Sequence, residues 1–170
     1  MTAPAIVLIG PMGAGKTSIG KRIARALQVP FYDSDAAVVR AHGPIDALFA
    51  THGEQHFRAL ERDAVRAGLA AGGVVALGGG AVLDPRTQAD LAAHRVVLLT
   101  VSRDTIAARI RGGTRPLLQD GDALTRWNEV YESRRDLYER LADVTFDTSS
   151  GPLQDIVERV AQWARGEADD

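Results

Sequence analysis

Five short apolar runs recur along the chain, and the stretches between them carry apolar residues at helical spacing. The first run is Ala5-Ile6-Val7-Leu8-Ile9, followed by Ile19, Ile23 and Leu27 spaced four apart. That is a buried strand and then an amphipathic helix over about 18–27. Pro30-Phe31-Tyr32 predicts a second strand ending at Asp33, and Asp35 to His42 a helix that Gly43-Pro44 breaks. Ile45 to Ala50 predicts a short helix, interrupted by Thr51-His52-Gly53. Glu54 to Leu69 predicts a longer one, with Phe57, Leu60, Ala64 and Val65 on one face. After Gly72-Gly73, Val74 to Leu77 is a buried strand, and Pro85 to His94 a helix with proline near its start. Val96 to Val101 is continuous, apolar and β-branched, the mark of a central strand. Helices over Asp104–Arg111 and Leu124–Leu141, a strand at Val144-Thr145-Phe146 and a helix over Leu153–Ala164 complete the pattern.

Strands alternating with helices predict an α/β three-layer sandwich, a five-stranded parallel sheet flanked by helices on both faces. Residues 1–170 are expected to form one domain. Two segments exceed what the sheet needs. One is the helical insert over 33–61, between strands two and three. The other is the glycine-rich, charged stretch over 112–123, with helices on both sides.

The loop after the first strand carries the most specific chemistry. Gly10-Pro11-Met12-Gly13-Ala14-Gly15-Lys16-Thr17 reads G-x-x-x-x-G-K-T, set between a strand and a helix. Its glycines let the backbone turn tightly and aim successive N–H groups inward, and the helix N-terminus adds partial positive charge. Lys16 is expected to reach the β- and γ-phosphates of a nucleoside triphosphate, and the Thr17 hydroxyl to meet Mg²⁺. The loop identifies a phosphate donor and leaves the acceptor open.

Charged residues elsewhere suggest the acceptor. Asp33-Ser34-Asp35 follows a predicted strand, where ligands gather in open α/β sheets. One carboxylate could hold Mg²⁺ through water and the other take a proton from a hydroxyl; either could instead cap a helix. Arg58 and Glu61 are three apart, which suits a guanidinium fork oriented by a carboxylate or a plain intrahelical pair. Gly78-Gly79-Gly80 after a buried strand offers close backbone approach and N–H groups to an anion, or simply a turn. Arg115, in Arg115-Pro116-Leu117-Leu118, sits where a closing lid would supply charge to a transition state; a solvated arginine is the alternative. Arg109 and Arg111 are candidates to stack on a base. Arg135, among acidic neighbours, reads as part of a surface network. The histidines His42, His52, His56 and His94 have no zinc spacing and read as surface residues.

Composition narrows the classes. Apolar and charged fractions of 45% and 25% are those of a globular domain. A formal net charge of −2 gives no footprint for nucleic acid or anionic membrane. The absence of cysteine excludes disulfides, thiolate metal sites and a cysteine nucleophile. No run approaches the roughly 20 apolar residues that span a bilayer. A cytoplasmic monomer acting on a small molecule, with neither nucleic-acid nor membrane partner, is expected.

Taken in order, these motifs resemble shikimate kinase, within the nucleoside monophosphate kinase-like P-loop superfamily. The matching set is the GxxxxGKT loop, Asp33-x-Asp35, Gly53-Glu54-x-x-Phe57-Arg58-x-x-Glu61, Gly78-Gly79-Gly80, Arg115-Pro116-Leu117-Leu118 and Arg134-x-x-x-Tyr138. The resemblance implies a P-loop kinase fold with a substrate-binding insert and a lid, and transfer of the ATP γ-phosphate to the 3-hydroxyl of shikimate on the chorismate route to aromatic amino acids. ATP and Mg²⁺ are the implied cofactors. The resemblance implies that Met12, Gly13, Ala14, Gly15, Lys16, Thr17 and Ser18 hold the nucleotide, with Arg109, Arg115 and Pro152 beside them. Thr17 and Asp33 would serve the metal. Asp35 would bind ring hydroxyls and act as base, while Lys16 and Arg115 stabilise phosphate charge. Arg58, Arg134 and the glycines 78–80 would hold shikimate, with Glu61 orienting Arg58 and Phe49 and Phe57 as apolar walls. The sequence departs from many members at Leu77, where threonine is usual. A gluconate or nucleotide kinase, and a non-catalytic ATP-dependent switch, are the competing readings.

Overall fold

The computed structural model describes the backbone over 3–112 and 121–166, and side chains over 3–109 and 123–166. Five parallel strands form one sheet in the order β2-β3-β1-β4-β5. They are β1 (Ile6–Ile9), β2 (Phe31–Asp33), β3 (Val74–Ala76), β4 (Arg95–Thr100) and β5 (Val144–Asp147). The helices are α1 (Lys16–Leu27), α2 (Ser34–His42), α3 (Ile45–Ala71), α4 (Pro85–Leu91), α5 (Arg103–Gly112), α6 (Gly121–Leu141) and α7 (Leu153–Ala164). A turn of 3₁₀ helix, Ala81–Leu83, precedes α4.

Side chains alternate across a strand, so β1, β3 and β4 each feed two cores. Ile6 and Leu8 of β1 and Val97 and Leu99 of β4 pack with Ile19 and Ile23 of α1 and Ile156 and Val160 of α7. Val7, Ile9, Val96 and Leu98 pack on the other face with Val65 and Leu69 of α3, Leu91 of α4 and Tyr138 of α6. Burying one such side chain contributes about 1.5–3 kcal/mol, and most are less than a tenth exposed. A small third core joins Val38 of α2 to Leu48 and Phe57 of α3, so the insert is held by its own apolar contacts. Helix α6 reaches both large cores, through Trp127 to the first and Tyr138 to the second.

The insert takes its expected form. Where the pattern predicts two helices parted at Thr51-His52-Gly53, α3 (Ile45–Ala71) is two helical stretches joined across one non-helical kink. The kink is at Gly53, whose φ of 83° and ψ of 171° are open to glycine at little steric cost. Helix α4 stops at Leu91 rather than His94. His94, expected at the surface, is half-buried, and its Nδ1 accepts the Ala5 N–H at 2.9 Å. It therefore ties the start of β1 to the start of β4.

Candidate active site

At the C-terminal ends of β1, β2 and β3, the loops and α6 enclose a cavity of about 1010 Å³. One wall is the loop after β1. Gly10 has φ +143°, and a Cβ there would lie 2.2 Å from the Leu99 carbonyl oxygen, so this corner admits only glycine. Helix α1 starts at Lys16 with no side-chain cap and no acidic residue in its first turn, which leaves its N–H groups and dipole to an anion. Lys16 Nζ donates to the Gly10 and Pro11 carbonyls, at 2.6 and 3.0 Å. Met12, Gly13, Gly15, Lys16, Thr17 and Ser18 all face the cavity. Ala14, expected among them, does not: it is fully buried and its N–H goes back to the Pro11 carbonyl at 3.3 Å.

Asp33 is both of the things its position allows. Its Oδ1 accepts the Ala36 N–H at 3.0 Å and so caps α2, while Oδ2 accepts the Thr17 hydroxyl at 2.6 Å. A hydroxyl and a carboxylate side by side suit Mg²⁺, which keeps several waters and takes the rest of its ligands from substrate phosphate. Among the described residues there is no cluster of three or more acidic or histidine groups to cage a metal, so the donor set fits a cation that arrives with the nucleotide.

Asp35, in the first turn of α2, faces the same cavity. Burial raises its carboxyl above the ordinary carboxylate range, and the charge of Asp33 adds to that. Lys16 and Arg58 pull the other way.

The opposite wall is α3. Arg58 Nη1 donates to Glu61 Oε1 at 2.8 Å, and its Nη2 lies 3.5 Å from Glu54. Glu61 is only 4% exposed; burial raises its carboxyl, and the Arg58 hydrogen bond opposes the rise. A carboxylate so buried serves to fix a guanidinium. Phe57 lines the cavity beneath Arg58, with the Arg58 guanidinium carbon 5.4 Å from its ring centre. The Phe49 ring packs at a tilt on Phe57, 4.8 Å between centroids, but stands at the surface, outside the cavity lining.

The three glycines after β3 have different reasons to be there. None has positive φ. A Cβ on Gly78 would lie 2.5 Å from an Asp35 oxygen, and one on Gly80 would lie 2.6 Å from both Arg58 terminal nitrogens. Those two side chains lie flat on the loop, so here glycine is a matter of space. Gly79 would meet nothing closer than Arg134, at 3.6 Å. The Gly78 N–H is taken by the buried Ser34 hydroxyl at 3.0 Å, which corrects its place among the anion donors and leaves Gly79 and Gly80. Tyr138 of α6 donates to the Gly79 carbonyl at 2.7 Å and holds the loop against the helix that carries Arg134. Arg134 points into the cavity, while Arg135 pairs with Glu132 and Glu139 at the surface, as its neighbours suggested.

On the nucleotide side, Arg109 donates to the Gly13 carbonyl and, at 3.2 Å, to that of Thr148. Gly151 and Leu153 line the cavity and Pro152 between them does not. Arg115 and Arg111 lie outside the residues whose side chains are described. Two contacts had no signal in the sequence. Trp127 Nε1 donates to the Met12 carbonyl at 2.7 Å, across 115 positions. The Thr148 hydroxyl lies 2.9 Å from the Ala14 carbonyl and 3.0 Å from that of Thr100.

The chain is similar to known proteins over most of its length. The family model described as shikimate kinase matches residues 12–165. A shikimate kinase of Mycobacterium avium is 45% identical over 150 residues, 86% of this chain and 85% of that one. One of Rhodococcus jostii is 40% identical over 166 residues, 95% of this chain and 99% of that one. The solved structure of shikimate kinase from Acinetobacter baumannii in complex with shikimate has a TM-score of 0.87 and 31% identity, covering 97% of this chain and 94% of that one.

Proposed function

The chain belongs to the shikimate kinase family, and on that premise we propose how its residues divide the reaction. The enzyme transfers the γ-phosphate of ATP to the 3-hydroxyl of shikimate, a step in aromatic amino acid biosynthesis, and works with Mg²⁺. One observation carries the assignment of residues. The phosphate-binding loop and the Arg58–Glu61 pair face each other across a single cavity, with Asp35 between them.

The loop backbone and α1 take the β- and γ-phosphates, and Lys16 exchanges its carbonyl contacts for phosphate oxygens. Thr17 and Asp33 would hold Mg²⁺, which would supply neutralising charge to those phosphates. Arg58, fixed by Glu61, and Arg134 clamp the shikimate carboxylate, and two guanidinium forks suit a planar anion. The Gly79 and Gly80 backbone and Phe57 bound the ring. Asp35 accepts the hydrogen bond of the reacting hydroxyl and takes its proton as the phosphoryl group arrives. Phosphoryl transfer has a loose transition state, so alignment and charge neutralisation supply most of the acceleration. We assign Arg115 to charge stabilisation, residues 112–123 to a lid and 33–61 to the acceptor insert. We also read the enzyme as a cytoplasmic monomer, which sedimentation and cell fractionation test.

The deciding experiment measures ADP release from ATP and Mg²⁺ on adding shikimate. Shikimate-dependent turnover is expected. Turnover on gluconate or a nucleoside monophosphate instead would overturn the acceptor assignment.

A further inference from the structure

Three consecutive carbonyls of the phosphate-binding loop are held from behind by side chains of three separate elements. Met12 is held by Trp127 of α6, Gly13 by Arg109 of α5, and Ala14 by Thr148, which follows β5. A peptide unit is planar and trans, so its C=O and N–H point in opposite directions. Fixing the Met12 carbonyl outward therefore aims the Gly13 N–H inward. Fixing the Ala14 carbonyl outward does the same for the Gly15 N–H. Gly13 and Gly15 face the cavity, whereas Ala14 between them is buried and gives its N–H to Pro11. Both contacts come from well-buried donors, the single Thr148 proton being shared between the carbonyls of Ala14 and Thr100. Trp127 is 7% exposed and Thr148 3%.

We propose that Trp127 and Thr148 are positioning residues for the nucleotide, setting the Gly13 and Gly15 amides toward the terminal phosphates before ATP arrives. The physical need is specific. Glycine peptides rotate easily, and both loop glycines have positive φ, 85° at Gly13 and 93° at Gly15. A peptide free to flip presents its carbonyl dipole to the phosphate, turning an attraction into a repulsion. Holding the carbonyl makes the cradle preorganised, so no ordering cost falls on binding or on the transition state. Trp127 sits on the helix that also carries Arg134 and Tyr138, so one rigid element fixes a donor-side amide and borders the acceptor site.

The inference rests on the reading of this loop as the nucleotide site, and the test separates the two. Calorimetric titration of the full chain with Mg²⁺ and ADP, and separately with AMP, is compared between wild type, Thr148→Val, Thr148→Ser and Trp127→Phe. Thr148→Val keeps the shape and loses the hydroxyl. It is expected to weaken ADP about tenfold, the scale of one hydrogen bond to a charged group, and to leave AMP, which lacks the β-phosphate, unchanged. Thr148→Ser restores ADP affinity. Trp127→Phe weakens ADP in the same selective way. In steady state both variants raise the KM for ATP and leave that for shikimate within about twofold. A merely structural role would lower Tm and move both substrates, or neither. Equal ADP affinity in all four proteins, or parallel loss of ADP and AMP, overturns the proposal. If wild type itself binds no ADP, the nucleotide reading of the loop falls first and this one with it.

Discussion

The Thr17 hydroxyl donates to Asp33 Oδ2 at 2.6 Å, joining the start of α1 to the end of β2, while Asp33 Oδ1 caps α2 at 3.0 Å. One carboxylate thus has a chemical and a structural task on different oxygens, and substitutions can separate them. Asn caps helices about as well as Asp but carries no charge. Asp33→Asn is expected to keep Tm within about 2 °C and to raise the Mg²⁺ concentration for half-maximal rate about tenfold. Asp33→Ala adds loss of the cap, about 1 kcal/mol, and lowers Tm as well. A Mg²⁺ titration of initial rate beside thermal melts gives the answer; an unchanged Mg²⁺ requirement in Asp33→Asn would remove Asp33 from the metal site.

The Arg58–Glu61 pair makes a second prediction. Arg58→Ala is expected to raise the shikimate KM about a hundredfold with the ATP KM nearly unchanged, since two charge-assisted bonds to a carboxylate are lost. It also leaves Glu61, 4% exposed, without its hydrogen-bond partner, which costs roughly 1–3 kcal/mol of stability. Glu61→Gln in the Arg58→Ala background should recover stability but not shikimate affinity. Equal effects on both KM values would make Arg58 structural.

Glycine substitutions distinguish space from strain. At Gly80 an added Cβ meets the flexible end of Arg58 at 2.6 Å, so Gly80→Ala should fold, displace that guanidinium and raise the shikimate KM with little change in Tm. At Gly10 it meets the Leu99 backbone oxygen at 2.2 Å in a φ of +143° that Ala resists. Gly10→Ala is expected to cost about 3 kcal/mol or more, adding local strain to the shift of a packed strand. Melting both proteins and assaying the survivors checks the contrast, and a well-folded, fully active Gly10→Ala would refute it.

Asp35 gives the pH prediction. Its carboxyl lies above the ordinary range in the folded protein, first because it is buried and then because of Asp33. The acid limb of kcat against pH is therefore expected above the range of an ordinary aspartate, and absent from Asp35→Asn, whose residual rate is orders of magnitude lower. The stability effect has a definite sign. A raised folded pKa means the native state binds the proton more tightly, so the fold loses stability as pH rises from the unfolded to the folded value and stays weakened by that amount above it. Asp35→Asn should then raise Tm at pH 7, with the gain disappearing below the unfolded value near 3.8. For this chain length each kcal/mol is about 2–4 °C. A lower Tm at pH 7 would mean that attraction to Lys16 and Arg58 outweighs burial.

The outcome at individual residues shows what could be read in advance. The strand runs and helix stripes were local patterns, so the five parallel strands and their helices followed from periodicity. The break at Gly53 was equally local, whereas the packing of α2 on α3 through Val38 and Phe57 lies outside any local window. Arg134 and Arg135 are neighbours in identical surroundings in sequence. Only the rotation of α6 sends one to the cavity and the other to surface glutamates.

Order along the chain by itself determined the donor loop, the sheet and the ordered motifs that identify the family, since each depends on residues within a few positions of one another. Tertiary structure decided which groups serve that loop. Ala14 is withdrawn from the cavity and the Gly78 amide is spent on Ser34, while Trp127 and Thr148 are brought to the Met12 and Ala14 carbonyls from 115 and 134 positions away. The reason is physical. A backbone amide has no identity in the sequence, and its direction is fixed by whichever distant side chain holds the carbonyl of the same peptide plane.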